Sequence, residues 1–133
     1  MANSVSYQVL NDGARHFNAA VSVVMDSGPI AQELLFDVST LYGGPRAPNG
    51  LIVKEIEVLA PEGMSIALWW KADVPPILTY LSGHNELCYE SGLRDPKEQG
   101  WNGDILISAT GWTVGANLRA TFVFRATKAY PTL

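Results

Sequence analysis

The chain has 133 residues, 47% of them hydrophobic and only 17% charged, against roughly 25% charged in an average soluble domain. So apolar a composition excludes a disordered chain, and a formal net charge of −4 gives a general nucleic-acid role no electrostatic support. One cysteine cannot make an internal disulfide framework. No apolar run approaches the roughly 20 residues of a membrane-spanning helix. The start, Met1 to Tyr7, lacks the basic segment and apolar run of a signal peptide, so synthesis and folding in a cytoplasm are expected. This length predicts one domain that buries about two-thirds of its unfolded surface.

Period-two alternation, the mark of half-buried strands, dominates in chain order. Ser4 to Leu10 places Val5, Tyr7 and Val9 on one side. Asn11-Asp12-Gly13 follows as a hairpin turn in which glycine would supply a positive φ. Arg15 to Asp26 then sets Phe17, Ala19, Val21, Val23 and Met25 against a more polar face. Ile30 to Phe36 alone has helical propensity, enough for a turn or two. Tyr42 to Gly50, with three glycines and two prolines, reads as a long loop.

Leu51 to Ala60 and Met64 to Ala72 are separated by Pro61-Glu62-Gly63, so the two are expected to pair antiparallel. Ile77 to Leu81 reads as a short strand blocked at its start by Pro75 and Pro76. His84 to Glu90 alternates weakly, and Arg94 to Gly100 is a charged loop. Asp104 to Thr110 and Leu118 to Lys128 complete the set, the last with Leu118, Ala120, Phe122, Phe124 and Ala126 on one face. Residues 1–133 thus form one all-β domain, an antiparallel sandwich of jelly-roll character with extended terminal segments and a long loop around 42–50.

Candidate chemistry is sparse. His84, Glu86, Cys88 and Glu90 share a strand face and could hold a metal, although a solvated edge strand has the same pattern. Cys88 and His84 lie roughly 13 Å apart along a strand, too far for a nucleophile and its base. Glu55 and Glu57 stand about 7 Å apart on one face, a glycosidase-compatible spacing that two solvated glutamates share. His16 has no evident partner. The expectation is a protein without catalytic set, cofactor or metal.

Tryptophan is the anomaly. Trp69 and Trp70 are adjacent on a strand, so one ring enters the core and the other faces outward. Trp101 and Trp112 bracket the Asp104 strand. Such rings cap the ends of a small sandwich, anchor protein interfaces or stack on sugars. Trp69, Trp101 and Trp112, with Arg46 in the long loop and Tyr130 in the tail, are the expected interface residues.

Four segments in this order carry a resemblance: Asn11-Asp12-Gly13-Ala14-Arg15, Leu68-Trp69-Trp70-Lys71-Ala72, Leu81-Ser82-Gly83-His84, and Gly103-Asp104-Ile105-Leu106-Ile107-Ser108-Ala109-Thr110-Gly111-Trp112. Together they are similar to a family of small structural proteins of tailed bacteriophage virions, over roughly Val5 to Lys128. The chain departs from that pattern at Ala109, where a second hydroxyl is expected, and in the proline- and glycine-rich loop Tyr42 to Gly50. The resemblance implies a non-enzymatic head decoration or cement protein on the capsid surface, assembled in the host cytoplasm. Its partner would be the major capsid protein and its assembly a homotrimer, without nucleic-acid or membrane contact. Met1 to Val5 and Tyr130 to Leu133 would be candidates for strand addition to a neighbour. A neck, tail or fibre-base component and a carbohydrate-binding sandwich are the alternatives.

Overall fold

A computed structural model describes residues 3–42 and 47–130. It contains nine strands: β1 (Ser4–Asp12), β2 (His16–Met25), β3 (Ile30–Phe36), β4 (Gly50–Leu59), β5 (Ser65–Trp70), β6 (Ile77–Ser82), β7 (His84–Leu93), β8 (Ile105–Thr110) and β9 (Leu118–Ala129). One sheet has the order β1-β2-β9-β4-β7 and the other β3-β8-β5-β6, and every pairing is antiparallel. Without β1, the order β2-β9-β4-β7 facing β3-β8-β5-β6 is the eight-stranded jelly roll. The all-β sandwich expected from the alternation is therefore present, with β1 as a ninth strand on one edge.

The alternation places the core. Phe17, Ala19, Val21, Val23 and Met25 of β2 meet Ala120, Phe122, Phe124 and Ala126 of β9 on the inner face, all essentially buried. Across the interlayer space stand Ile66, Leu68 and Trp70 of β5 and Ile105, Ile107 and Ala109 of β8. Phe36 joins the two layers, its ring centroid 5.1 Å from that of Phe17 and 4.8 Å from that of Phe124. Contacts of this kind add about 0.5–1.5 kcal/mol each beyond the area they bury.

Three local expectations are corrected. Ile30–Phe36 is a strand, not a helical turn. Two register shifts in its pairing with β8 break the period of two, which is why its apolar residues mimic helical spacing. The Leu51 and Met64 strands do not pair, because the chain crosses at Pro61–Gly63 from one layer to the other. Ile56 and Val58 therefore face Ile66 and Leu68 through the core instead of lying beside them. The β1–β2 hairpin forms as expected, but Gly13 is not among the glycines with positive φ. That turn closes instead by the Gly13 N–H donating to the His16 carbonyl at 3.0 Å.

The motifs behind the resemblance have structural work. Gly103 and Gly111 flank β8 at φ +87° and +101°. A Cβ on Gly103 would sit 2.1 Å from the Asn49 carbonyl oxygen, and one on Gly111 1.9 Å from that of Gly63, so only glycine fits. Between them Asp104, 8% exposed, accepts the Val38 N–H at 2.8 Å and anchors the 3₁₀ turn Val38–Thr40 to β8. Burial raises its carboxyl above the ordinary value, and the Val38 N–H partly offsets this. Asp12 at the first motif receives the Lys128 ammonium, which also donates to the Gly13 and Tyr42 carbonyls. The Lys128 side chain is wholly enclosed, so this clasp pins the hairpin turn to the chain leaving the 3₁₀ turn.

Candidate interaction surface

The outer face of the four-stranded sheet is assembled by register. Leu34 of β3 opposes Leu106 of β8, Leu106 opposes Trp69 of β5, and Trp69 opposes Ile77 of β6. An apolar row thus crosses all four strands. The next row is Ser108, Ala67 and Tyr80, and the one after it Thr110, Ser65 and Ser82. None of these nine outward positions on β5, β6 and β8 carries a charge.

Trp69 is the centre of this face. Its Nε1–H donates to the Ser108 hydroxyl at 2.9 Å, one residue pair along the sheet, so the indole lies along the surface instead of projecting into solvent. Outward-facing Leu106 and Ala67 are only 9% and 8% exposed, while Leu34, Ile77 and Tyr80 are 50%, 39% and 64% exposed. Trp70 points inward and is buried, as adjacency on a strand requires.

The other expected interface residues do not join Trp69. Trp101 is half-buried and walls a cavity of about 310 Å³ with Asn49, Ile52, Arg94 and Asp95; the Lys97 ammonium lies 5.1 Å from its ring centroid. Trp112, beyond the other end of β8, turns its Nε1–H onto the Ala116 carbonyl at 3.0 Å and packs on the core. The Tyr130 hydroxyl donates to the Ala14 carbonyl. Arg46 lies outside the described residues, as do Met1, Ala2 and residues 131–133 of the expected strand-addition segments.

The charged chemistry lies on the opposite layer. Arg125 of β9 pairs with Glu57 at 2.9 Å and Glu55 at 3.6 Å. Register sets Glu57 beside Glu86 and Glu55 beside Cys88. Glu55, Glu86 and Cys88 bring their ligand atoms within 4.8 Å of one another. Of the His84, Glu86, Cys88 and Glu90 set weighed along β7, only Glu86 and Cys88 belong to this group, and the third member comes from β4. A hydrogen bond that the protonated Glu55 carboxyl donates to the Glu86 carboxylate, then desolvation, raises the Glu55 carboxyl, even against Arg125. Desolvation at the sheet surface and the Glu55 and Glu86 charges raise the Cys88 thiol, which is exposed. That keeps it a thiol and not a nucleophilic thiolate at neutral pH.

Sequence reasoning found Trp69 but missed Leu34, Leu106, Ile77 and Tyr80. The available signal was the lack of charge at alternate positions of Ser65–Trp70 and Ile105–Thr110. No helix among the described residues is long and apolar enough to cross a membrane. No family model matches the sequence, and no curated protein matches it.

Proposed function

We propose that this protein is a non-enzymatic structural component of a tailed-phage virion, a decoration or cement protein. It seats the outer face of its four-stranded sheet across neighbouring major capsid subunits and ties them together. The observation that carries this reading is the absence of charge at the nine outward positions of β5, β6 and β8 around Trp69. Fully buried interface centres are depleted of charge and enriched in aromatic residues, and the nine outward positions of β5, β6 and β8, with Trp69 and Tyr80 among them, have that composition. The resemblance of the Asp12-Gly13 turn, the Leu68-Trp69-Trp70 strand and the Gly103–Gly111 segment to virion structural proteins supplies the partner. An acidic protein on the outside of a shell needs no genome contact, and many copies on one shell add avidity.

Co-sedimentation with capsid shells that lack the protein tests the reading. The full chain pellets saturably, and Trp69→Lys binds about 30-fold more weakly, the loss of an interface anchor worth about 2 kcal/mol. A protein that stays in the supernatant at every ratio to shells overturns the reading. Saturation at only a few copies per particle would move it to the neck or tail. One feature favours a carbohydrate reading, the Trp101-walled cavity with Arg94 and Asp95. Quenching of tryptophan fluorescence by polysaccharide, lost in Trp101→Ala, would support it.

A further inference from the structure

Each sheet has two edge strands, and an edge offers unpaired backbone groups to any passing strand unless something blunts it. Three of the four edges here are blunted. β3 has two register shifts in seven residues and carries exposed Glu33. β6 has six residues, a register shift, and Pro75-Pro76 immediately before it. β7 carries exposed His84, Glu86 and Glu90.

β1 is blunted only at its far end, by one register shift between Val9 and Asn11 and by Asp12. Ser4 to Asn11 contains no charge and no proline, and its pairing with β2 is regular from Ser4 to Val9. Its other edge has no partner strand among the described residues. Because the opposite sheet has four strands to this sheet's five, β1 also overhangs the core. Tyr7 and Val9, opposite inward-facing Val21 and Ala19, remain 42% and 45% exposed.

We infer that the free edge of β1 is a pairing surface for a second copy of this chain, joined antiparallel about a two-fold axis through Tyr7. Such an axis stands normal to the sheet and keeps inner side chains inner, so the register must centre on a residue and not between two. Centred on Tyr7, it sets Tyr7 against Tyr7, Val5 against Val9 and Ser6 against Gln8, all within the regular stretch of β1. Every pair shares a face, the apolar residues meet each other on the inner one, and no like charges meet at the axis. The result is a continuous ten-stranded sheet. A ring of three built by strand pairing at this edge would instead have to join β1 to one of the other edges.

The axis has a second consequence. It places both four-stranded sheets on the same side of the joined sheet, so the two Trp69 faces of a dimer point toward one surface. Two faces on one rigid unit bind a lattice as a bivalent ligand. This consequence rests on the proposed function, but the pairing itself does not.

Light scattering of the full chain, without shells, reads the pairing separately from shell binding. The expected mass is twice the 14.4 kDa chain, falling to one chain in Tyr7→Lys, which sets two ammonium groups against each other at the axis. Tyr7 also meets the Phe36 ring, so a cysteine pair keeps the test independent of that contact. In a Cys88→Ser background, Tyr7→Cys forms a disulfide-linked dimer on mild oxidation, since opposed Cα atoms stand about 4.5–5.5 Å apart. Gln8→Cys, opposed to Ser6 and not to itself, does not. A monomer at all concentrations, a trimer, a dimer that survives Tyr7→Lys, or cross-linking through Gln8→Cys in place of Tyr7→Cys each overturns the inference.

Discussion

The two outer faces of this sandwich are built from the same alternating strands and differ in almost everything else. On the five-stranded layer, Arg125 sits between Glu55 and Glu57, with Glu86 and Cys88 beside them across β7. On the four-stranded layer, Leu34, Leu106, Trp69 and Ile77 run across the sheet without a charge. Inner faces must be apolar for the core to form, but outer faces are free to follow other demands. Water is satisfied by the first composition; the second leaves aromatic and aliphatic area in solvent, an arrangement that fits a covered surface. The contrast marks the four-stranded face as the one whose residues folding alone gives no reason for.

The largest effect breaks the scaffold under the uncharged face. Gly111→Ala drives a Cβ into the Gly63 carbonyl at a left-handed position, and is expected to cost more than about 4 kcal/mol, seen as a lost or sharply lowered melting transition. Lys128→Met comes next. It leaves the Asp12 carboxylate and two carbonyls without their donor, and because Asp12 keeps some solvent contact the cost falls near the low end for a broken buried pair, about 3 kcal/mol in urea unfolding. On the charged face, Arg125→Ala removes an exposed ion pair, with an expected loss under about 1 kcal/mol that added salt erases. Shell binding should be untouched by this change, which sharpens the contrast with Trp69→Lys.

The smallest effect is a pH dependence. The Glu86 hydrogen bond holds the Glu55 proton more tightly in the folded state than its ordinary 4.5, so the folded state binds more protons than the unfolded chain between the two values. Stability from this site is present at low pH and falls as pH rises through the raised value. Glu86→Gln removes the competing charge. Its melting temperature should exceed the wild type slightly at about pH 8 and coincide with it at about pH 4.

The sequence was most readable where one face alone is buried and the strand is regular. β2 and β9 show every inward residue at its expected position, and adjacency of Trp69 and Trp70 on β5 required one ring inside and one out. β3 was misread because its two bulges shift Leu34, Leu35 and Phe36 off the period of two. The pairing of β4 was misread because alternation marks which face is apolar but not whether two apolar faces lie side by side or across a core. The same limit hid the outer-face row and the Glu55–Glu86–Cys88 group, since both are made by cross-strand register. Lys128 shares the inward parity of Phe122, Phe124 and Ala126, yet nothing local in the chain reveals that Asp12 and two carbonyls wait for it at the end of β9.

Native side chains on the two faces offer the most direct test. Trp69 and Tyr80 lie on the uncharged face, and exposed Cys88 lies on the charged one. Oxidative footprinting and thiol alkylation of the protein, free and bound to shells, would read both at once. The account predicts that Trp69 and Tyr80 lose reactivity on the shell while Cys88 is alkylated as fast as in solution. Protection of Cys88 with Trp69 and Tyr80 still reactive would contradict it.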